Sequence, residues 1–550
     1  MAAKLIGYLY RQAAMLLLVA MVCAIISGLS GATLIRVVNA GIDSQAVTAA
    51  LALQFFTLIA VTVLARSAAQ IAILHLSQAA AFDMRVELSR KLLATPHERL
   101  QALGKPGLLA ILTRDIETFV GALQVLPRML TDATIVLACF GYIAWLSRPL
   151  FGMLAVTLVL GMTVFMLAQR YPLAKLKIIR AKMDLLFRHF RDLVEGSREL
   201  QLNRQRGVQF VDGVIAVEAR SYRSVFIRGF GSFIWISNIG DALFYLAIGV
   251  LLFVVPLWMP QPAAVRTSVT LTLLYLIGPI ASMINAVPAV GQAAVSLSKI
   301  EQLGANLSAD ACDDGIDPFQ RDADVLLDLR AVSHQYPSEA DDAPFMLGPL
   351  NLRVQRGEIL FIVGGNGSGK TTLAMLLLGL YKPETGQVHL NGEAVHDANL
   401  HHYRQHFSAV FADFHLFEQL LGVEGDAAGA AALPYLEKLG MGRKVSIVDG
   451  KFSTIALSSG QRKRLALLVS YLEDKSIYLF DEWAADQDTV FKRVFYTELL
   501  PELKARGKTV IVISHDDTYF DCADRLLTLA DGQLRQHAGV PGQAAALHSV

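Results

Sequence analysis

The stretch ILFIVGGNGSGKTTLAMLLLG, Ile359 to Gly379, decides the fold of the second half of this chain. Ile359 to Val363 is uniformly apolar and reads as a buried strand; Thr372 to Gly379 reads as a helix. Between them run Gly364, Gly365, Asn366, Gly367, Ser368, Gly369, Lys370, Thr371 and Thr372, in which Gly364, Gly369, Lys370 and Thr371 satisfy G-x-x-x-x-G-K-[ST]. Glycines let backbone amides turn toward phosphates, and the helix start adds its positive end. Lys370 supplies a point charge, and the Thr371 hydroxyl is a ligand for Mg²⁺. The wiring predicts binding of ATP or GTP.

Working outward from that loop, further chemistry appears at strand ends. SIYLFDE, Ser476 to Glu482, is an apolar run closed by two carboxylates. Asp481 suits Mg²⁺, and Glu482 suits polarising an attacking water. TVIVISHDD, Thr509 to Asp517, repeats the pattern and places His515 where its imidazole can hydrogen-bond a γ-phosphate. Upstream, Tyr336 precedes Gly364 by 28 residues; it either stacks on an adenine ring or packs on the core at a strand end. LSSGQRKRLALL, Leu457 to Leu468, opens a helix whose positive end carries Ser458, Ser459, Gly460 and Gln461, a second phosphate-binding surface. The phosphate loop is already cradled by its own backbone. The second surface therefore caps the nucleotide of another copy, head to tail.

Composition points to a membrane. Of 550 residues, 54% are hydrophobic, and the mean hydropathy is +0.44, too apolar for a soluble enzyme and too long for one domain. The net charge of +1 argues against nucleic acid as a partner. Cys23, Cys139, Cys312 and Cys522 lie far apart, so neither a disulfide framework nor a zinc site is expected.

Six apolar segments approach the roughly 20 residues that cross a bilayer. They are Ala13 to Leu34, Leu51 to Leu74, Leu130 to Leu146, Phe151 to Ala168, Ile234 to Val255 and Val269 to Pro288. The first is long and followed by five more, so it reads as a span and not a cleaved signal. Gln169 to Gly229 carries 13 Lys and Arg against 6 Asp and Glu. The opposite loops hold little beyond Arg36, Asp43, Arg148 and Arg266. Basic loops stay cytoplasmic. Both termini and the nucleotide loop therefore face the cytoplasm, in a multi-pass protein of the cytoplasmic (inner) membrane.

Span two continues in helical register through His75 to Leu100, and about 60 charged residues join spans four and five. These extensions should turn back near Thr95 to Gly107 and near Gln205 to Gly213, natural contact points for a cytoplasmic motor. Gly304 to Asp324, GANLSADACDDGIDPFQRDAD, is acidic and polar and reads as a linker. The expected divisions are 1–303 for the membrane part, 304–324 for the linker and 325–550 for an α/β nucleotide-binding part. With one half of each kind, function needs a second copy of the chain.

These motifs, in this order, resemble an ATP-binding cassette (ABC) transporter, and six spans with long loops resemble an exporter half-transporter. The resemblance covers nearly the whole chain. It implies a six-helix, all-α transmembrane domain followed by an α/β P-loop ATP-binding cassette domain. Tyr336 would be the adenine-stacking position, Gly364 to Thr372 Walker A, Leu457 to Gln461 the signature, Asp481 and Glu482 the end of Walker B, and His515 the switch histidine. ATP and Mg²⁺ follow as cofactors.

FSAVFADFHLFEQLLG (Phe407 to Gly422), DEWAADQD (Asp481 to Asp488), ISHDDTYFDCADRLLTL (Ile513 to Leu529) and VEGSRELQLN (Val194 to Asn203) are similar to the bacterial exporters of cyclic peptides, pyoverdine-type siderophore peptides and microcin. Three positions depart from the family. Ala412 stands where most members carry a Gln that touches Mg²⁺, with Asp413 the nearest substitute. Ser459 replaces a signature Gly, and Trp483 replaces a small residue after Glu482.

For cargo, Arg66 in span two and Asp241 in span five lie at membrane depth. Trp235, Asn238, Asp241 and Tyr245 step by three and four along one helix face. The two readings are a polar, aromatic wall for a peptide-like substrate and a structural Arg66–Asp241 pair. About a dozen residues precede span one, which leaves no room for a leader peptidase. The leading expectation is ATP-driven export of a cyclic or modified peptide or peptide siderophore by a homodimer in membrane lipid. The alternatives are a lipid or lipopeptide flippase and a non-translocating regulatory membrane ATPase.

Overall fold

The computed structural model describes residues 2–43, 48–259, 262–307, 315–321, 323–336, 345–422 and 427–536. The chain forms two compact units. The first comprises Met1–Ser89 and Pro106–Ala305, the second Arg90–Lys105 and Asn306–Val550.

The first unit is helical. Among the described residues, six helical segments are long and apolar enough to cross a membrane: Ala14–Ile42, Ala49–Ala94, Gly107–Leu146, Arg148–Ala168, Arg204–Trp258 and Ala263–Gly304. Helix Ala2–Asp43 packs on Leu126–Leu146, and Arg148–Glu195 packs on Ala216–Gly249. One apolar cluster joins Ile135, Cys139 and Ile143 to Leu154, Leu251 and Leu273. Hydroxyls in the spans find local acceptors, as a backbone in lipid demands. The Ser30 and Thr62 hydroxyls also pair across two helices at 2.8 Å.

Helices Ala49–Ala94 and Arg148–Glu195 contain 46 and 48 residues. At about 1.5 Å per residue they reach about 70 Å, far beyond a hydrocarbon core of about 30 Å. The first extension breaks at Thr95 and Pro96, and short helix His97–Leu103 follows. The second turns earlier than the sequence suggests. It breaks at Gly196 and again at Asn203, whose Oδ1 accepts from the Arg206 amide at 3.0 Å. By Phe210 the chain has returned and packs edge-on against His189 of the descending helix. Gly196 ends the long helix, and the Asn203 side chain caps the start of the next short one, Arg204–Gln209.

The second unit holds strands β1 (Val325–Tyr336), β2 (Phe345–Gln355), β3 (Ile359–Val363), β4 (Thr385–Leu390), β5 (Glu393–Ala394), β6 (Phe407–Val410), β7 (Ile447–Val448), β8 (Lys451–Phe452), β9 (Ile477–Asp481), β10 (Thr509–Ile513), β11 (Arg525–Ala530) and β12 (Gln533–Gln536). An antiparallel sheet runs β2-β1-β4-β5, and a largely parallel sheet runs β12-β11-β3-β10-β9-β6. Strands β3, β9 and β10 are buried along their whole length, because both faces of the parallel sheet are covered. Ile513 pairs with Ile362 on one side and with Asp481 on the other. The carboxyl ends of these strands are therefore level, and the loops that leave them converge.

Helix Ser459–Glu473 covers one side with Leu465 and Tyr471 in a core that includes Leu436, Trp483 and Phe495. Residues 315–321, within the stretch that reads as a linker, pack on this unit. Phe319 is fully buried, its carbonyl accepts from Asn391 Nδ2 at 2.7 Å, and Asp317 pairs with His406 at 3.0 Å. One aromatic among acidic and polar neighbours anchors the segment.

Arg90–Lys105 belongs to this second unit. Gln101 Oε1 accepts from the Tyr381 hydroxyl at 2.7 Å, and Glu98 Oε1 accepts from the Lys382 amide at 3.0 Å. The Tyr381 ring stacks between His97 and His334.

Candidate nucleotide site

Helix Lys370–Leu377 begins directly at the lysine of the glycine loop. Gly364 has no room for a side chain: a Cβ there would press into the Leu529 carbonyl and sit 2.8 Å from Ser368 Oγ. Gly369 caps the helix at φ +99°, with the Phe345 ring against it. Gly365, Asn366, Gly367 and Thr371 are exposed, whereas Ser368 is buried with its hydroxyl unpaired. Lys370 Nζ donates to the Gly364 and Gly365 carbonyls at 3.0 and 2.9 Å and lies 4.0 Å from Glu482 Oε1. Burial lowers its proton affinity, opposed by the charges of Glu482 and Asp481.

Asp481 ends β9 fully within the core. Burial, then the charges of Glu482 and Asp413, push its carboxyl up to about 6, against the opposing pull of Lys370 and Lys463. Asp413 follows β6, whose Val410 pairs with Phe480 of β9, so the topology brings both acids to one sheet end. Glu482 adopts a left-handed conformation at φ +49°, a strained state for this residue type. Its amide is tied to the Ile513 carbonyl at 3.0 Å, and its Oε1 meets His515 Nε2 at 2.6 Å. Glu482 and His515 line an open cavity of about 370 Å³ together with Ala485 and Ser514. The structure thus gathers Lys370, Asp481, Glu482 and His515. Tyr336 ends β1 opposite Phe345, but its side chain lies outside the described residues.

Ser458 caps helix Ser459–Glu473. Its hydroxyl accepts from the Gln461 amide, and the Gln461 side chain returns to the Ser458 amide, a complete capping box. This end is open to solvent over a groove of about 520 Å³ that also reaches Arg464, Asp486 and Gln487.

Ser459 and Trp483, together with Lys463 and Gln487, bind this end to the segment after Glu482. Ser459 Oγ donates to Asp486 at 3.4 Å, and Gln487 Nε2 donates to the Gly460 carbonyl at 3.0 Å. Lys463 Nζ lies 2.9 Å from Asp486 Oδ2 and donates to the Glu482 carbonyl at 3.3 Å. Trp483 is buried against Phe495 and donates from its indole to the Lys463 carbonyl at 2.9 Å. Sequence reasoning missed Lys463, Asp486 and Gln487. In QRKR, nothing local distinguishes the buried lysine from its exposed or half-buried neighbours.

In the membrane unit, Trp235, Asn238 and Tyr245 are exposed on helix Ala216–Gly249. Asp241 lies on the same helix with its side chain outside the described residues. Arg66 is exposed on helix Ala49–Ala94 and acts electrostatically on Asp132 and Tyr275, partners that the sequence did not suggest.

The ABC transporter family model matches residues 347–485. The ATP-binding protein SyrD of Pseudomonas syringae pv. syringae is 36% identical over 525 residues, 92% of either chain. An ATP-dependent lipid A-core flippase of Methylobacillus flagellatus is 27% identical over 527 residues, 92% of this chain and 87% of the flippase. A solved bacterial Atm1-family ABC exporter with ATP bound has a TM-score of 0.75 at 16% identity, covering 96% of this chain and 95% of that one, a likeness of fold alone. The chain therefore belongs to the ABC transporters, as an exporter-type half-transporter that spans the membrane several times and couples ATP hydrolysis to transport.

Proposed function

We propose that two copies of this chain form a homodimer in the cytoplasmic (inner) membrane that exports a cyclic or modified peptide, or a peptide siderophore, by alternating access. The observation that supports the dimer is the signature end, the positive start of helix Ser459–Glu473, which lies exposed over an open groove where a second nucleotide could dock. Each ATP would lie between the phosphate loop of one copy and Ser458 to Gln461 of the other. Binding closes the pair, and hydrolysis reopens it.

Within a site, Lys370 and the loop amides hold the phosphates, and Tyr336 stacks on the base. Glu482 orients water, with His515 fixing that carboxylate through the 2.6 Å contact. Mg²⁺ fits here. Burial and the charges of Glu482 and Asp413 raise the Asp481 carboxyl against the pull of Lys370, an acidic sheet end that a cation would relieve. Asp481 and the Thr371 hydroxyl would hold the ion, which would neutralise phosphate charge. Among the described residues no cluster of three His, Cys, Asp or Glu side chains forms a self-sufficient metal site, so nucleotide oxygens complete the shell.

The peptide reading rests on the stretches Phe407 to Gly422, Asp481 to Asp488 and Ile513 to Leu529. Trp235, Asn238, Asp241, Tyr245 and Arg66 are the candidate cargo contacts. A lipid cargo is the second reading, favoured by the whole-length similarity to a lipid A-core flippase. The test is ATPase activity of the protein in lipid, wild type against Glu482→Gln, with cyclic peptides, siderophore peptides and lipid A each added. Stimulation by a peptide, absent in Glu482→Gln, supports the proposal. Stimulation by lipid A alone transfers it to the flippase reading, and no Glu482-dependent hydrolysis refutes both.

A further inference from the structure

We propose that the membrane unit carries a binding site for the phosphate headgroup of a bilayer phospholipid, at the end of the bundle formed by its short connections. A cavity of about 220 Å³ opens there between three helices. Arg36 and Asn39 line it from Ala2–Asp43, Tyr142 and Leu146 from Leu126–Leu146, and Val265 and Ser268 from Ala263–Asn306.

Asn39 is the centre of the site. Its side chain is 3% exposed, yet neither Nδ2 nor Oδ1 has a hydrogen-bond partner. A buried amide with both ends unpaired is costly, and such groups in native proteins have a ligand or another partner. Asn39 therefore asks for a group that offers an acceptor and a donor together.

The surroundings define the acceptor as an anion. Arg36 lies one helical turn before Asn39, and its guanidinium rests over the Trp145 ring at 5.6 Å, a contact that does not neutralise its charge. The described lining holds no carboxylate. The positive end of the 44-residue helix Ala263–Asn306 begins beside the cavity. On its first turn, the buried Nε of Arg266 also lacks a partner.

The depth identifies the source. Trp145 and Trp258 are exposed at this end, where aromatic side chains mark the headgroup level of a bilayer. A phosphodiester fits the cavity, and its acyl chains would lie along the apolar helix surface outside. Nδ2 of Asn39 and Arg36 take the phosphate. Oδ1 takes an N–H or O–H from the esterified group, which ethanolamine and glycerol possess and choline lacks.

The test is thermal unfolding and native mass spectrometry of the detergent-purified full chain. Phosphatidylethanolamine, phosphatidylglycerol and phosphatidylcholine of matched chains are added, or inorganic phosphate. Wild type should retain and be stabilised by the first two, with phosphatidylcholine about tenfold weaker. Asn39→Leu should unfold at a higher temperature than wild type without lipid, because it removes the unpaired amide, yet bind lipid about tenfold more weakly. Arg36→Gln should lose affinity similarly. Equal lipid responses in all three proteins would overturn the site. Equal protection by phosphatidylcholine, or full protection by inorganic phosphate alone, would overturn the headgroup assignment.

Discussion

Lys463 and Asp486 form an asymmetric ion pair, and the asymmetry makes a sharp prediction. The lysine side chain is 3% exposed and the aspartate 50%. Asp486→Ala leaves an ammonium in the core with the Glu482 carbonyl as its hydrogen-bond acceptor and the Asp481 carboxylate acting on it without direct contact. Stranding one member of a buried pair costs about 3–5 kcal/mol, and the surviving carbonyl contact sets this case at about 3 kcal/mol. Lys463→Met fills the same volume and leaves a carboxylate that water already reaches. The loss there is that of a partly exposed pair, about 1 kcal/mol. At about 2–4 °C per kcal/mol for a domain of this size, the unfolding temperature falls by about 6–12 °C in Asp486→Ala and about 2–4 °C in Lys463→Met. Because the alanine variant suffers from the stranded charge, the double variant should recover to near the Lys463→Met value. Tryptophan fluorescence during heating at one scan rate reads this directly, since Trp483 is bonded to the Lys463 carbonyl. Equal shifts, reversed order, or a double variant as unstable as Asp486→Ala would refute the reasoning.

Glu482→Gln should lower ATP hydrolysis by about 10²–10⁴-fold while nucleotide binding persists, checked by turnover and by equilibrium binding. Gly364→Ala should abolish nucleotide binding, because its methyl collides with the Leu529 carbonyl and displaces Ser368. The Asp481 carboxyl is raised from 3.8 to about 6 in the folded protein, so the folded state holds more protons than the unfolded one between those values. Nucleotide-free stability should therefore decline by up to about 3 kcal/mol as pH rises from about 4 to about 6, and Asp481→Asn should remove that part of the slope in a thermal-shift series. Tyr381→Phe loses the 2.7 Å bond to Gln101, worth about 0.5–1.5 kcal/mol. It should lower transport more than ATP hydrolysis in vesicles.

Much of the molecule is legible in the residues alone, for a local reason. A glycine loop between an apolar strand and a helix specifies phosphate geometry within nine residues, and β3 spans the run Ile359–Val363 read from the sequence. Six apolar segments announce membrane spans because the bilayer imposes a length and every backbone polar group must close on itself. Relations between distant segments needed the tertiary structure. Glu482 meets His515 only because β9 and β10 pair in parallel with level ends. Lys463 is buried because the helix it rides faces Asp486 and Trp483, a choice among QRKR that periodicity does not make. Asn39 is unpaired because three helix ends meet around it. Hydropathy and spacing act through neighbours along the chain. The partners of a buried charge or amide are chosen by packing, across separations of 23 residues for Lys463 and Asp486 and 33 for Glu482 and His515, where local pattern carries no information.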